Sequence, residues 1–254
     1  LPDVAEKWLL IAKGLYPSET SLNWNLALAY AQTGHEQKAE AILREIINQD
    51  ADYTPAYINL ATHLMSRNEW VEAKGLLQIA ARQQPDNPAI YWNLGRIADN
   101  TEKPDEAVEA YRTVVDLEPR RTEAYLNLSA ALMRKGYLEE ARHPLEQGRT
   151  LDPQDPRVWW NMGLMEVRLG NDASSIEYFL TVLRLEPGNT NASLNLCAAL
   201  MRLEKWQEAV DVALPIVQKG VGDQRHAWNL ALCYNALERT DLEIEALLDV
   251  LDTD

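Results

Sequence analysis

Asparagine recurs at Asn25, Asn59, Asn93, Asn127, Asn161, Asn195 and Asn229, each 34 residues after the last, with no insertion or deletion. An amide side chain has two donors and an acceptor, matching the N–H and C=O of an extended backbone. Successive amides in one row would grip a main chain whatever its side chains. The groups that covalent chemistry needs show no such order. His35, His63, His143 and His226 are scattered, without metal-ligand spacing. No serine reads as a strand-elbow nucleophile. The glycines of Lys219-Gly220-Val221-Gly222-Asp223 lack the strand that a phosphate loop follows. The residues therefore point to recognition, with no catalytic residue, no cofactor and no metal expected.

Other residues suited to recognition keep the same register. Trp24, Trp92, Trp160 and Trp228 stand directly before every second asparagine, where Ile58, Leu126 and Leu194 stand before the others. The chain thus repeats better at 68 residues than at 34, and Leu-Met at 64–65, 132–133 and 200–201 follows the longer period. Arg134, Arg168 and Arg202 form another row, and Arg96 follows Asn93 by three. Aromatic anchors dominate interfaces, and hot spots lose roughly 2 kcal/mol or more on truncation. The tryptophans read equally as such anchors and as packing between neighbouring helices. Met65, Met133 and Met201 read equally as an adaptable binding surface and as core.

The element that positions these residues is a helix–turn–helix repeated in tandem. Seven repeats start at Thr20, Thr54, Pro88, Thr122, Pro156, Thr190 and Gln224, giving 20–53, 54–87, 88–121, 122–155, 156–189, 190–223 and 224–254. Thr54-Pro55, Asn87-Pro88 and Asp155-Pro156 each set a capping side chain before a proline that loses no hydrogen bond at a helix start. Small residues at Ala39, Ala73, Ala107, Ala141, Ser175 and Ala209 allow the paired helices to approach closely. Glu243 takes that place in the last repeat and predicts a loosely packed final helix. Pro144 and Pro215, inside second helices, predict bends or interruptions. The two glycines before Gln224 predict a permissive turn. Trp70, Trp159 and Trp206 are expected in the core.

Residues 1–19 obey the same register as the second helix of a truncated repeat, and no initiator Met precedes them. The chain is expected to be a piece of a longer protein, with uncapped ends open to self-association. Among 254 residues, 46% are hydrophobic and 25% charged, values that suit an ordered chain. No apolar run reaches the roughly 18 residues of a membrane span, so direct membrane insertion is not expected. Cys197 and Cys233 sit in apolar helical runs and read as core thiols.

Segments such as AIYWNLGRIADNTEKPDEAVEAYRTVVDLEPRR, with Leu94-Gly95, Ala107, Tyr111 and Pro119, resemble the tetratricopeptide repeat family, and the resemblance covers the whole chain. It implies an all-α fold, a right-handed α-solenoid of tandem 34-residue helix–turn–helix repeats, whose first helices line a groove. Repeat positions 2, 5, 6, 9, 12 and 13 then face that groove, which places the asparagines, tryptophans and Arg96, Arg134, Arg168 and Arg202 along it. The asparagine row looks like the ladder in the repeat region of the O-linked N-acetylglucosamine transferases. The first helices hold eight basic and three acidic residues, the latter being Asp99, Glu123 and Glu166. The whole chain is at −15, which leaves −20 for everything else. A mildly basic groove in an acidic shell implies another protein, or an extended acidic peptide segment, as partner and argues against nucleic acid. A substrate-recruiting region of a larger enzyme such as a glycosyltransferase, and a component of an envelope secretion or polysaccharide export assembly, are the alternatives.

Overall fold

The computed structural model describes residues 19–251, with residues 7, 11 and 14–16 before them; beyond residue 248 only the backbone is described. The helix expected over residues 1–19 falls largely outside these. Fourteen helices follow in order: α1 Thr20–Gln32, α2 Glu36–Gln49, α3 Thr54–Ser66, α4 Trp70–Gln83, α5 Pro88–Asn100, α6 Pro104–Leu117 and α7 Thr122–Arg134. Then come α8 Leu138–Leu151, α9 Pro156–Leu169, α10 Asp172–Leu185, α11 Thr190–Arg202, α12 Trp206–Gln218, α13 Gln224–Ala236 and α14 Thr240–Leu251. There is no strand among the described residues. The chain forms two compact units, Leu1–Pro119 and Arg120–Asp254.

In each unit the helices pair as hairpins, α1 with α2 through α13 with α14, and each hairpin packs on the next. A stripe on each helix buries one side. On α6 it is Ala107, Val108, Tyr111 and Val114, whose spacing brings them to one face. Ala39, Ala73, Ala107, Ala141, Ser175 and Ala209 are all buried, as the register requires of residues where two backbones meet. First helices also pack on first helices: α3 on α5 in the first unit, α7 on α9 and α11 on α13 in the second. The residues named as candidates for recognition therefore lie on one layer of each unit.

The turn inside each hairpin needs one residue in the left-handed region. Gly34, Gly136 and Gly170 supply it, but Asn68, Glu102, Glu204 and Glu238 adopt φ of 62°, 55°, 58° and 56° at the same repeat position. A side chain there costs about 1 kcal/mol or more relative to glycine.

Several local expectations change. Asn87 and Asp155 do cap their helices, accepting from the N–H of Ala89 at 3.1 Å and of Arg157 at 2.9 Å. Thr54 does not, because it already lies within α3 and is buried, its hydroxyl donating to Gln83 Oε1 at 3.0 Å. Pro144 and Pro215 do not interrupt α8 or α12. The carbonyls they leave without an N–H belong to Glu140 and Asp211, both exposed residues that water can satisfy. Glu243, in place of the small residue on the last helix, accepts from Asn235 Nδ2 at 3.0 Å on both its oxygens. The turn before α13 demands its glycines. Gly220 has φ +61°, and a Cβ on Gly222 would come within 2.8 Å of Ile216 and 3.0 Å of His226.

Candidate functional site

The seven asparagines share a register but not an environment. Asn25 is exposed, Asn93 is buried, and Asn59, Asn127, Asn161, Asn195 and Asn229 are half-buried. Asn59 and Asn195 donate back to the carbonyls four residues earlier, Pro55 at 3.0 Å and Asn191 at 2.9 Å. Asn93 Oδ1 accepts from Arg96 at 3.3 Å. The amides of Asn127, Asn161 and Asn229, all on the second unit, make no hydrogen bond to another described residue. Each is open to solvent on one side, with its full donor and acceptor capacity unused.

The tryptophans divide in the same way. Trp24 meets the Tyr53 ring edge-on with centroids 5.6 Å apart, Trp92 meets Tyr111 at 5.8 Å, and Trp160 meets Phe179 at 5.7 Å. These three are half-buried and brace their own repeats, whereas Trp228 is 52% exposed. Trp70 and Trp206 pack partly buried against the cores of their units. Trp159 is not in the core. It is half-buried, and its Nε1 donates to the Pro153 carbonyl at 2.9 Å. Tyr57 and Tyr91, at the same repeat position, donate to the carbonyls of Ala51 and Pro85, each at 3.0 Å. This latch ties α3, α5 and α9 to the loops before them. Its sequence signal, a polar-tipped aromatic four residues into the repeat, is plain once seen. Met65 and Met133 are buried and Met201 is half-buried against the core.

The arginine row is engaged rather than idle. Arg168 Nη1 donates to the Met133 carbonyl at 3.0 Å, at the end of the preceding first helix. Arg202 clamps Asp172 through Nε and Nη2 at 2.9 and 2.6 Å. Arg67 pairs with Glu40 at 2.7 Å, and Arg157 with Asp155 at 2.6 Å. Arg96 and Arg134 are exposed, as are Arg168 and Arg202, and Arg96 donates to Asn93. The acidic count shifts as well, because Glu166 is buried. It accepts from Arg142 at 2.6 Å and from Asn171 at 2.7 Å. Asp99 takes the Tyr111 hydroxyl at 2.8 Å. A net charge of +5 summed over first helices therefore overstates the positive field, since carboxylates from neighbouring elements reach the same guanidinium groups.

One recess opens on this layer of the second unit. It holds about 270 Å3 and is lined by Pro156, Arg157, Trp160, Glu186, Asn189 and Asn191. Trp160 and Pro156 stood out from sequence; Glu186 and Asn189 come from the loop after α10 and Asn191 from the next repeat. Cys197 and Cys233 are buried free thiols. Burial and the Cys233 thiol beside it push Cys197 well up, the hydrogen bond between them being the larger cause. Among the described residues no three metal-binding side chains gather, and no helix is long and apolar enough to cross a membrane.

This fold of stacked hairpins on a 34-residue register is that of the tetratricopeptide repeat. One family model described as tetratricopeptide repeat matches residues 30–97 and 101–162, and another matches 156–189. The chain belongs to the tetratricopeptide repeat family. It is 23% identical over 239 residues to the TPR repeat-containing protein YpiA of Bacillus subtilis (strain 168), covering 93% of this chain and 56% of that protein. It is 22% identical over 213 residues to the human protein O-mannosyl-transferase TMTC3, covering 82% of this chain and 23% of that protein. The crystal structure of YrrB, described as a TPR protein with an unusual peptide-binding site, has a TM-score of 0.66 and 20% identity. That match covers 72% of this chain and 95% of YrrB. The chain thus spans little more than half of YpiA and about a quarter of TMTC3.

Proposed function

We propose that this chain is a non-catalytic scaffold that holds an extended segment of another protein against its first-helix layer. The observation that carries the reading is the three amides of Asn127, Asn161 and Asn229, half-exposed, in one register and without an intramolecular partner. An extended chain offers N–H and C=O groups to such a row irrespective of its side chains. The peptide-binding site named for YrrB, a protein of the same fold, is in keeping with it. The remaining contributors are Asn25, Asn59 and Asn195, the tryptophans that border the row, and Arg96 and Arg134. These two guanidinium groups favour an acidic segment. Arg168 and Arg202 serve mainly to tie repeats together.

The test replaces Asn127, Asn161 and Asn229 together with alanine and uses the chain as bait in extract. Loss of captured partners with helicity and melting temperature unchanged supports the reading. Undiminished capture removes the amides from it. Release of the partner by moderate salt supports the acidic character, because exposed charge pairs are screened. A second reading makes the chain the substrate-recruiting part of a glycosyltransferase, favoured by the likeness to TMTC3 over 82% of this chain. A catalytic domain in the same reading frame distinguishes the two.

A further inference from the structure

We infer that the recess beside Trp160 is a pocket for one aromatic side chain of the partner. The inference rests on the groove reading above and adds a specificity site to it. The warrant is a comparison between two repeats of the same chain. In the first repeat, Trp24 is covered by Tyr53, which stands 29 residues after it and meets it edge-on at 5.6 Å. In the fifth repeat the residue 29 positions after Trp160 is Asn189. Its side chain does not cover the indole. It turns down instead, accepting from the Ala192 N–H at 2.9 Å and donating to Glu186 at 2.8 Å. The place that Tyr53 fills in one repeat is thus an open recess of about 270 Å3 in the other. That is the size of a side-chain pocket rather than of a cofactor site.

The walls agree with an aromatic occupant. One face of Trp160 is backed by Phe179 at 5.7 Å, which fixes the indole. Arg157 is pinned beside it by a two-pronged pair with Asp155, at 2.6 to 3.0 Å. Pro156 adds a rigid apolar surface, and Asn191 and Glu186 leave a polar rim. In the first repeat the carboxylate corresponding to Glu186 is Asp50, and it acts on Tyr53: burial first and then Asp50 hold the phenol above its usual range, uncharged. An uncharged ring edge-on to an indole, beside a carboxylate, is the arrangement that the chain already builds for itself. Tyrosine or phenylalanine fits it, and leucine lacks the edge-to-face term.

The 254-residue chain, labelled with 15N at tryptophan, is titrated with N-acetyl-tyrosinamide, N-acetyl-phenylalaninamide and N-acetyl-leucinamide. The indole N–H of Trp160 is assigned from Trp160→Phe. A saturable shift of Trp160 with the two aromatic amides, and a response to leucinamide about three- to tenfold weaker, is expected. Asn189→Tyr fills the recess from within and abolishes the response. Asn189→Ala, which loses the same helix cap but leaves the recess open, keeps it. No saturable shift, an equal response to leucinamide, or a response that survives Asn189→Tyr overturns the pocket. The outcome separates from that of the groove. If Asn189→Tyr captures partners normally while the triple asparagine variant does not, the groove reading stands and the pocket falls. If the aromatic amides bind but the triple variant captures partners as before, the pocket stands and the amide row falls.

Discussion

The Phe179 ring occupies the space that a side chain on Gly163 would need: a Cβ there would lie 2.6 Å from Cε1 of that ring. Gly95 and Tyr111 repeat the relationship, also at 2.6 Å. In each case the ring also backs the tryptophan three residues before the glycine, Trp160 or Trp92. Where those two repeat positions hold Ala27 and Leu43, or Ala231 and Leu247, the smaller aliphatic replaces the ring and alanine replaces glycine. Gly163→Ala is therefore expected to destabilise the second unit by about 1 to 2 kcal/mol, overpacking outweighing the gain in helix propensity. Adding Phe179→Leu restores stability, which thermal or urea unfolding of the pair of variants checks.

Glutamates in the left-handed turn position are the opposite case, a strain with no packing behind it. Glu102→Gly, Glu204→Gly and Glu238→Gly are each expected to raise stability by up to about 1 kcal/mol, the relief of strain exceeding the added freedom of the unfolded chain. Gly136→Glu is expected to lower it by a similar amount. Equal melting temperatures across the set would show that these turns are not strained.

Glu166 is 3% exposed and is held by Arg142 and Asn171. Arg142→Met leaves the carboxylate buried with one partner, and about 2 to 3 kcal/mol of stability is expected to go, somewhat less than for a fully buried pair because Arg142 is partly exposed. Glu166→Gln in the Arg142→Met background recovers part of it. A double-mutant cycle measured by urea denaturation reads the coupling directly.

Asp155 is expected to contribute to acid sensitivity, as one of four carboxyls, with Glu40, Glu106 and Asp223, held below the usual range. Burial alone would push its carboxyl up, but hydrogen bonds from the Arg157 side chain and N–H outweigh that and hold it below the usual range. A carboxylate depressed in the folded state contributes stability above its unfolded value of about 3.9, and that contribution fades as pH falls through the folded value. The Asp155→Asn variant retains a cap acceptor for the Arg157 N–H. Its stability should therefore fall less steeply than the parent's below about pH 4. Parallel curves would remove Asp155 from the acid response.

Arg202 provides a test of which arginines bind and which brace. Arg202→Gln breaks the two-pronged contact with Asp172 and is expected to cost about 1 kcal/mol or less of stability, since the pair is partly exposed. Partner capture should hardly change. Arg96→Gln and Arg134→Gln together are expected to weaken capture and reduce its salt dependence. The opposite pattern would reassign the roles.

A single sequence determined much of this molecule. The 34-residue register of asparagine, small residues and helix starts follows from the helical period and from repetition, so the hairpin, its close-packed faces and the family were legible without coordinates. The row on which Asn127, Asn161 and Asn229 stand was legible for the same reason. What only the tertiary structure decided is which of the equivalent residues are free. Asn93 is buried with Arg96, Asn59 bonds back to Pro55, and Arg168 and Arg202 are taken by Met133 and Asp172. A repeat period states what recurs along the chain, whereas the partners of Arg168 and Arg202 come from the preceding hairpin, 35 and 30 positions back, which stacking alone brings near. Tyr53 packing on Trp24, and Asn189 bonded instead to Ala192 and Glu186 beside Trp160, is the plainest instance: one register, two occupants, and a recess beside Trp160.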